Sequence, residues 1–287
     1  MRVDFTLPYR HDGTMKTVLV ISSFVASSRV GATASAFCLR RLGVEAVVLP
    51  TTLMGRHPGW GPPGGGATQV EQLEDMWQAI RKQGLRFDAV FSGYMGHMDH
   101  VALTARIIRE VKEENSNAII LVDPVMGDDG ALYIPEDRAQ AIRTDLLPLA
   151  DILTPNVWEL SYLTVTKANT ATALAQSCKA WNADVLITSV PVENEIGALL
   201  VTSQDGFLVQ HKKFEKVPHG GGDALAATYL AHNLLGLSPR KALEFSVASI
   251  FEVMSAAKKL DAGELPLVRK QGALVSAPPL KSKKIDL

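Results

Sequence analysis

Ala118-Ile-Ile-Leu-Val-Asp-Pro-Val-Met-Gly127 is the stretch of sequence that decides the fold. Residues 118–122 are all apolar, which is typical of a strand buried on both faces of a sheet. The run stops at Asp123, so a charge stands where the strand should end. Helical patterns lie before and after it. One runs to about Glu113 with an apolar residue at every third or fourth position, and Asp99 is placed to cap its start.

The same alternation of strand and helix extends in both directions along the chain. It predicts one α/β domain built on a mainly parallel sheet with helices on both faces. Ser203-Gln-Asp-Gly206 favours a hairpin turn between the last two strands, and Ser238 followed by Pro239 favours a helix start. Strands are predicted at 18–22, 44–49, 88–91, 118–122, 152–154, 185–188, 198–202 and 207–211, and helices at 31–42, 69–83, from about 222 and from 239.

Length and composition indicate a globular protein with a substantial core. The chain has 287 residues, of which 47% are hydrophobic and 21% charged, with a formal net charge of -1. This balance gives no reason to expect nucleic acid or a membrane as a partner, and no apolar run approaches the roughly 20 residues of a membrane span. We expect a disordered extension at 1–15, the folded domain at 16–276 and a solvated tail at 277–287.

The two cysteines, Cys38 and Cys178, stand far apart and outside any Cys-x-x-Cys pair. This predicts two reduced, buried thiols and neither a disulfide nor a zinc site. A cytoplasmic location is the expectation that follows.

The strongest chemical signal is His219-Gly-Gly-Gly-Asp-Ala-Leu225, which directly precedes an apolar helix. Three glycines at a helix start let backbone N–H groups point at an anion such as phosphate. An aspartate in that place would repel an anion. It fits if Asp223 takes a proton from an attacking hydroxyl while the N–H groups of Gly220, Gly221 and Gly222 stabilise a phosphoryl group in transfer. A flexible turn with an Asp cap is the simpler alternative.

Further polar residues follow predicted strands. Asp123 could hold Mg²⁺ directly or through water. Asn156 and Glu159 could face the same sheet edge, although their spacing also suits a helix capping box. The hydroxyls of Thr188 and Ser189 could reach phosphate oxygens. Because carboxyl ends of parallel strands meet at one edge, these clusters and the glycine segment predict a single site.

Two other segments are less informative. The Pro/Gly-rich stretch at 58–67 is too short for a domain linker and suits a mobile flap or a surface loop without a role. His97 and His100 are spaced for shared metal ligation, but no third ligand is evident, so capping and surface roles are favoured. Asp128 and Asp129 are expected to be solvated.

Together these motifs resemble the pyridoxal kinase branch of the ribokinase-like superfamily over about residues 16–257. Similar to that family are Ser23 with Val30-Gly31, Arg41-Leu-Gly-Val-Glu45, Gly93-Tyr94, Asp123-Pro-Val-Met-Gly127, Tyr133, Thr154-Pro-Asn156 with Glu159, and Gly220-Gly-Gly-Asp223. The resemblance implies a ribokinase-like three-layer sandwich. It also implies an ATP-dependent phosphotransferase with an alcohol acceptor, acting in vitamin B6 salvage on the 5′-hydroxyl of pyridoxal and related vitamers.

The resemblance also implies the roles of individual residues. Asp223 would be the catalytic base beside the amides of Gly220, Gly221 and Gly222. Mg²⁺ would lie near Asp123 and Glu159, K⁺ is a possible second cation, and relatives of this kind form homodimers. Substrate-binding residues would be Ser23, Val30, His57, Tyr94 and His219, and ATP-binding residues would be Asp123, Tyr133, Asn156, Thr188 and Ser189.

The acceptor side departs from the family more than the phosphoryl-transfer side does. Phe24, Met54 and Pro58 stand where the family has a histidine, an aromatic residue and a threonine, and Gly221 replaces a common threonine. Two alternatives therefore stay open. One is a hydroxymethylpyrimidine-type or sugar kinase of the same superfamily, and the other is a vitamer-binding protein without turnover. Tyr94 favours a flat heteroaromatic acceptor over a sugar.

Overall fold

The computed structural model describes residues 15–128, 130–216 and 218–287, so all of the predicted N-terminal extension except Met15 lies outside it. The strands are β1 Thr17–Val25, β2 Glu45–Met54, β3 Gly66–Ala67, β4 Ala89–Ser92, β5 Ile119–Val122, β6 Gly127–Asp128, β7 Ala131–Leu132, β8 Ile152–Leu153, β9 Asp184–Val192, β10 Glu195–Val201, β11 Gly206–Lys212 and β12 Lys283–Ile285. The helices are α1 Gly31–Arg41, α2 Val70–Lys82, α3 Met98–Glu114, α4 Glu136–Ala141, α5 Val157–Thr164, α6 Ala171–Ser177, α7 Gly221–Leu234, α8 Pro239–Leu260 and α9 Ala273–Ser276.

Ten of these strands form one sheet in the order β12-β11-β10-β9-β8-β5-β4-β1-β2-β3. The central pairs from β2 through β1, β4, β5 and β8 to β9 are all parallel. The carboxyl ends of these strands therefore lie along one edge of the sheet, as expected for a site in an open α/β fold. Strands β10 to β12 extend the sheet with antiparallel pairs.

Helices cover both faces of the sheet and make it the middle of three layers. Successive residues of β1 show why, because Leu19 and Ile21 join one buried cluster while Val18 and Val20 join the other. The first cluster includes α2, α3 and α5, and the second includes α1, α7 and α8. The predicted sandwich is confirmed. Both cysteines are free and buried, also as predicted.

The start of α3 and the C-terminus differ from the predictions. His97, not Asp99, caps α3, because its Nδ1 accepts a hydrogen bond from the Asp99 N–H at 3.3 Å. The solvated tail is also wrong for part of 277–287, since β12 pairs with β11 at the sheet edge and Ser282 is buried. Among the described residues, no helix is long and apolar enough to cross a membrane.

Candidate active site

Asp223 lies in the first turn of α7, at the edge of the sheet that the parallel strands define. Its carboxylate accepts backbone hydrogen bonds from Gly31 and from its own N–H, and part of the residue stays open to solvent. Burial raises the pKa of this carboxyl group to about 6, although the two N–H donors oppose the shift. A carboxylate in this state is mostly ionised at pH 7 and more basic than an ordinary aspartate.

The three glycines before Asp223 form the start of α7. Gly220 is the N-cap with φ 92° and ψ 0°, a left-handed conformation that favours glycine. A Cβ atom there would also lie 2.0 Å from the carbonyl oxygen of Arg29. A Cβ on Gly222 would meet no atom of the described residues within 4 Å. The first N–H groups of a helix lack intrahelical partners, so Gly220, Gly221 and Gly222, which we call the glycine cradle, stay the predicted anion site.

Asp123 follows β5 directly and is only 7% exposed. Burial raises its pKa well above the usual value, and the charges of Glu159 and Asp223 add to the shift. The hydroxyl of Thr154 and the N–H of Val125 act in the opposite direction. Val125 has φ 32°, which is strained for a β-branched residue and is the kind of backbone that functional loops retain.

Glu159 clamps the loop after Asp123 onto the start of α5. Its Oε1 accepts from the N–H groups of Met126 at 2.8 Å and Gly127 at 3.4 Å, and its Oε2 accepts from the Asn156 N–H at 2.9 Å. Asn156 Oδ1 accepts in return from the Glu159 N–H at 2.8 Å, so the capping box is present. Burial nevertheless raises the pKa of Glu159 to about 7. The capping role is therefore confirmed, and direct ligation of Mg²⁺ by Glu159 stays a prediction.

These carboxylates share one electrostatic site. Desolvation raises the pKa of Tyr133, and the negative charges of Glu159, Asp123 and Asp223 all add to the shift. Tyr133 follows the small hairpin of β6 and β7, and its N–H donates to the carbonyl of Met126 at 3.0 Å. The segments that carry Asp123, Glu159 and Asp223 therefore lie close together, while their roles stay predictions. No group of three or more metal-ligating side chains forms within the part of the chain described.

The predicted acceptor residues lie around the ends of β1 and β4. Ser23 and Val30 are buried, with 6% and 7% exposure. Tyr94 is held through its backbone, because its N–H donates to Ser22 Oγ at 3.2 Å and its carbonyl accepts from Thr51 Oγ1 at 2.6 Å. The aromatic ring of Tyr94 is only half-buried, so it is available to a ligand.

A pair of stacked histidines joins the 58–67 segment to the glycine cradle. The rings of His57 and His219 have centroids 4.6 Å apart and an interplanar angle of 26°. His57 Nδ1 also accepts from the Gly59 N–H at 3.1 Å, and burial together with the His219 charge lowers the pKa of His57. The end of the segment pairs with β2 as β3. The segment therefore contacts the site, while its mobility stays a prediction.

Thr188 and Ser189 do not end a strand, contrary to the prediction. They lie within β9, where the pairing with β10 shifts register between Gly197 and Leu199. Ser189 has φ 59° and an exposed side chain. Bulges of this kind are frequent next to functional sites, and Thr188 forms an isolated backbone bridge with Asn156. That the two hydroxyls reach the sheet edge stays a prediction.

His97 and His100 are structural. The His97 N–H donates to His100 Nδ1 at 3.2 Å, and His100 Nε2 lies 2.8 Å from the Thr68 carbonyl oxygen. Both nitrogens of His100 are thus used by the backbone, which leaves it no lone pair for a metal.

Two interactions, one inside the site and one beside it, were not predicted. Thr154 stands in a predicted motif, but its buried hydroxyl beside Asp123 was given no role. Glu264 accepts from the Arg29 N–H at 2.9 Å and from Trp60 Nε1 at 3.1 Å. It lies 235 residues from Arg29 in sequence, so no local pattern indicates this contact.

Comparison with known proteins identifies the family. The model of the phosphomethylpyrimidine kinase family matches residues 66–268, which is most of the chain. The chain belongs to this family. The match begins at β3, which is the end of the 58–67 segment, and extends through Asp123, Glu159 and the glycine cradle to the loop after α8.

Relatives within this family confirm the resemblance to pyridoxal kinases. The chain is 32% identical over 276 residues to the pyridoxal kinase PdxY of Rubrobacter xylanophilus, covering 92% of this chain and 95% of that one. It is 30% identical to the pyridoxine/pyridoxal/pyridoxamine kinase of Bordetella avium, covering 91% and 92% of the two chains.

Solved structures confirm the fold. The pyridoxal kinase of Entamoeba histolytica has a TM-score of 0.88 at 22% identity, with 94% of this chain and all of that chain covered. The pyridoxal kinase of Leishmania donovani, solved with ADP and pyridoxamine, gives a TM-score of 0.88 at 23% identity and the same coverage. The ribokinase-like sandwich is therefore the fold of this family member.

Proposed function

We propose that this protein transfers the terminal phosphoryl group of ATP to the 5′-hydroxyl of pyridoxal, and of related vitamers, in vitamin B6 salvage. The observation that carries the proposal is the placement of Asp223. Its carboxylate has a pKa raised to about 6 and stands directly after the glycine cradle, in the field of Asp123. Similarity to enzymes named pyridoxal kinase supports the choice of acceptor.

Asp223 accepts the proton of the acceptor hydroxyl. As that proton moves to a carboxylate oxygen, the hydroxyl oxygen forms a bond to the γ-phosphorus, and the bond from the γ-phosphorus to the bridging oxygen of ADP breaks. A base with a pKa near the working pH is both ionised and sufficiently basic for this task. The N–H groups of Gly220, Gly221 and Gly222 stabilise the charge on the phosphoryl oxygens during the transfer.

The residues around Asp123 fit a hard divalent cation. Asp123 and Glu159 are carboxylates with raised pKa values, and the hydroxyl of Thr154 lies beside Asp123 as a further oxygen donor. Oxygen donors of this kind suit Mg²⁺, which keeps several of its waters and binds through one or two carboxylates. Asp123 would bind the ion directly. Glu159 would act by positioning the loop after Asp123 or by binding one of the waters of the ion. Such an ion would supply neutralisation of the phosphate charge.

ATP would lie along the same edge, between Tyr133, Asn156 and the hydroxyls of Thr188 and Ser189. Tyr133 is 55% exposed on its hairpin, so its ring can cover a nucleotide. Asn156 Nδ2 donates to the Gly127 carbonyl at 2.9 Å, which ties the loop after Asp123 to the start of α5. K⁺ remains part of the proposal by resemblance only.

The acceptor would stack on Tyr94 and contact Ser23 and Val30, with His57 and His219 at the wall. The stacked imidazoles and the half-buried tyrosine suit a flat heteroaromatic ring better than a sugar. The family match to phosphomethylpyrimidine kinases favours a hydroxymethylpyrimidine as the second candidate acceptor, because it is also a flat ring with a primary alcohol.

A panel of acceptors with ATP and Mg²⁺, followed by ADP release, tests the proposal. We expect turnover on pyridoxal at a kcat/KM at least tenfold above that on hydroxymethylpyrimidine and far above that on ribose. A higher kcat/KM on hydroxymethylpyrimidine than on pyridoxal would favour the second candidate acceptor. The absence of ADP release with every acceptor would leave a vitamer-binding protein without turnover.

Two further expectations belong to the proposal. A homodimer is supported by Phe24 and Leu53, register partners on β1 and β2 that are 39% and 46% exposed. Light scattering that gives the molar mass of a single chain would contradict it.

A cytoplasmic location is supported by the two reduced thiols, and cell fractionation of the native host tests it.

A further inference from the structure

A cavity of about 760 Å³ lies between the β1–α1 loop, the segment around Trp60 and the loop after α8. Its volume is within the range of small-molecule sites. Asp223, Asp123, Glu159 and Tyr94, the residues on which the proposed chemistry depends, do not line it. Arg29 and Arg56 line it and are the sequence neighbours of Val30 and His57, so the cavity adjoins the proposed acceptor site without including those four residues.

The lining of this cavity is strongly cationic. Arg29, Arg56 and Arg269 line it, and Glu264 is the one acidic residue among the described residues of the lining. Both Glu264 oxygens are already engaged, one by the Arg29 N–H and the other by Trp60 Nε1. Within the described chain, none of the three arginines forms a salt bridge.

The arginines and the tryptophan are arranged to receive a ligand. Arg56 is oriented by its own segment, since its Nε donates to the Pro62 carbonyl at 2.8 Å and its terminal nitrogens remain available. Guanidinium groups bind phosphate with paired hydrogen bonds. Trp60 is 53% exposed, and its indole is fixed by Glu264, so it offers a rigid apolar surface beside the charges.

The residues that line this cavity are in direct contact with the glycine cradle. A Cβ on Gly220 would lie 2.0 Å from the Arg29 carbonyl oxygen and 3.2 Å from Leu265 Cδ1, so the backbone of the cavity lining touches the cradle. Arg29 also stands two residues before Gly31, whose N–H bonds to Asp223. A ligand that moves Arg29 into the cavity would change the contact of Arg29 with Gly220 and the hydrogen bond from Gly31 to Asp223.

We propose that this cavity is a second binding site, for a small phosphorylated molecule whose phosphate the three arginines hold and whose apolar part lies on Trp60. Because the cavity lining touches Gly220, occupancy alters the geometry of the cradle. The binding is independent of the proposed kinase activity, whereas its effect on turnover rests on that activity.

Calorimetric titration with inorganic pyrophosphate, in the presence of EDTA, tests the site. The variants are Arg56→Gln/Arg269→Gln and, as the matched control, Lys270→Gln, which removes one exposed positive charge next to Arg269 but outside the lining. We expect Kd to rise at least tenfold in the double variant and to change less than twofold in the control. Arg56 and Arg269 are exposed, so melting curves should show both proteins folded.

Equal affinity in the wild type and the double variant would overturn the proposal, because the pyrophosphate would then occupy the glycine cradle. No binding to the wild type would overturn it as well. A wild type that binds pyrophosphate through the arginines but phosphorylates no acceptor would contradict the proposed function and leave this site in place.

Discussion

The backbone N–H of Gly31 donates a hydrogen bond to the carboxylate of Asp223, and so joins the first turn of α1 to the first turn of α7. Gly31 has φ 52°, and a Cβ there would lie 2.2 Å from Ser23 Oγ. Only glycine therefore brings this N–H so close to β1. The bond favours the ionised carboxylate and opposes the effect of burial, which is why the pKa is raised only to about 6.

The first prediction concerns pH. Because the base must be ionised, kcat/KM for pyridoxal should fall about tenfold per pH unit below pH about 6. Initial rates with saturating ATP and Mg²⁺ between pH 4.5 and 8 measure this, with melting curves at each pH to separate unfolding from protonation. A rate that stays constant to pH 4.5 would remove Asp223 from its role.

The second prediction concerns the buried carboxylates. The folded-state pKa of Asp123 lies above its unfolded value, so its ionisation stabilises the unfolded state as pH rises through that range. Asp123→Asn should therefore raise Tm at pH 7.5 without metal, by about 2–4 °C for each kcal/mol by which the buried charge destabilises the fold. At pH 5 the increase in Tm should be smaller. Mg²⁺ should raise the Tm of the wild type but not of the variant. Asp75→Asn, an exposed change on α2, is the control and should do neither.

The third prediction separates two glycines of the cradle. Gly220→Ala places a side chain at φ 92° and 2.0 Å from a carbonyl oxygen, so it should destabilise the fold by about 2 kcal/mol or more. The Cβ of Gly222→Ala meets no atom of the described chain within 4 Å, so this variant should hold or slightly raise Tm, since alanine favours a helix. Thermal melts of both variants measure the difference. Equal melting temperatures would show that the wall behind Gly220 can move.

The fourth prediction concerns the C-terminal strand. Glu244 holds it, because its Oε1 accepts from the Ser282 N–H at 3.1 Å and from Ser282 Oγ at 2.8 Å, and Lys241 donates to its Oε2 at 2.7 Å. These bonds lower the pKa of Glu244 to about 2. Its stabilisation is thus complete above pH about 4.5 and is lost as pH falls towards 2.

Glu244→Ala should cost about 1–3 kcal/mol at pH 7, measured by chemical denaturation, and the cost should shrink near pH 2. Glu252→Ala on the exposed side of the same helix is the matched control and should change stability by less than about 0.5 kcal/mol. If both variants lose the same stability, β12 is not held by Glu244.

Local sequence patterns predicted the parallel core well, because each of its strands and helices carries its own apolar period. Residues 118–122 and the apolar helix that follows Asp223 are of this kind, and the structure places them as expected. Patterns could not predict β12, since Lys281-Ser-Lys-Lys284 is polar and only its pairing with β11 and the bonds to Glu244 make it a strand. They also missed the bulge at Thr188 and Ser189, where a distant strand decides the geometry.

For the site, the sequence predicted the positions of the motifs but not the contacts of their side chains. The segments that carry Asp123, Glu159 and Asp223 each follow a strand or begin a helix, so topology alone brings them to one edge. What each carboxylate does there depends on neighbours far away in sequence. Glu159 bonds to the loop of Met126, and Asp223 to Gly31, and neither contact leaves a signal in the local pattern.

The most direct test of the account is Asp223→Asn. This change keeps the shape of the side chain and removes the proton acceptor, so kcat for pyridoxal should fall about 10²–10⁴-fold. The Kd of ATP, measured by calorimetry, should stay within a few-fold of the wild type, because the glycine N–H groups remain. Wild-type turnover in this variant would contradict the proposed chemistry.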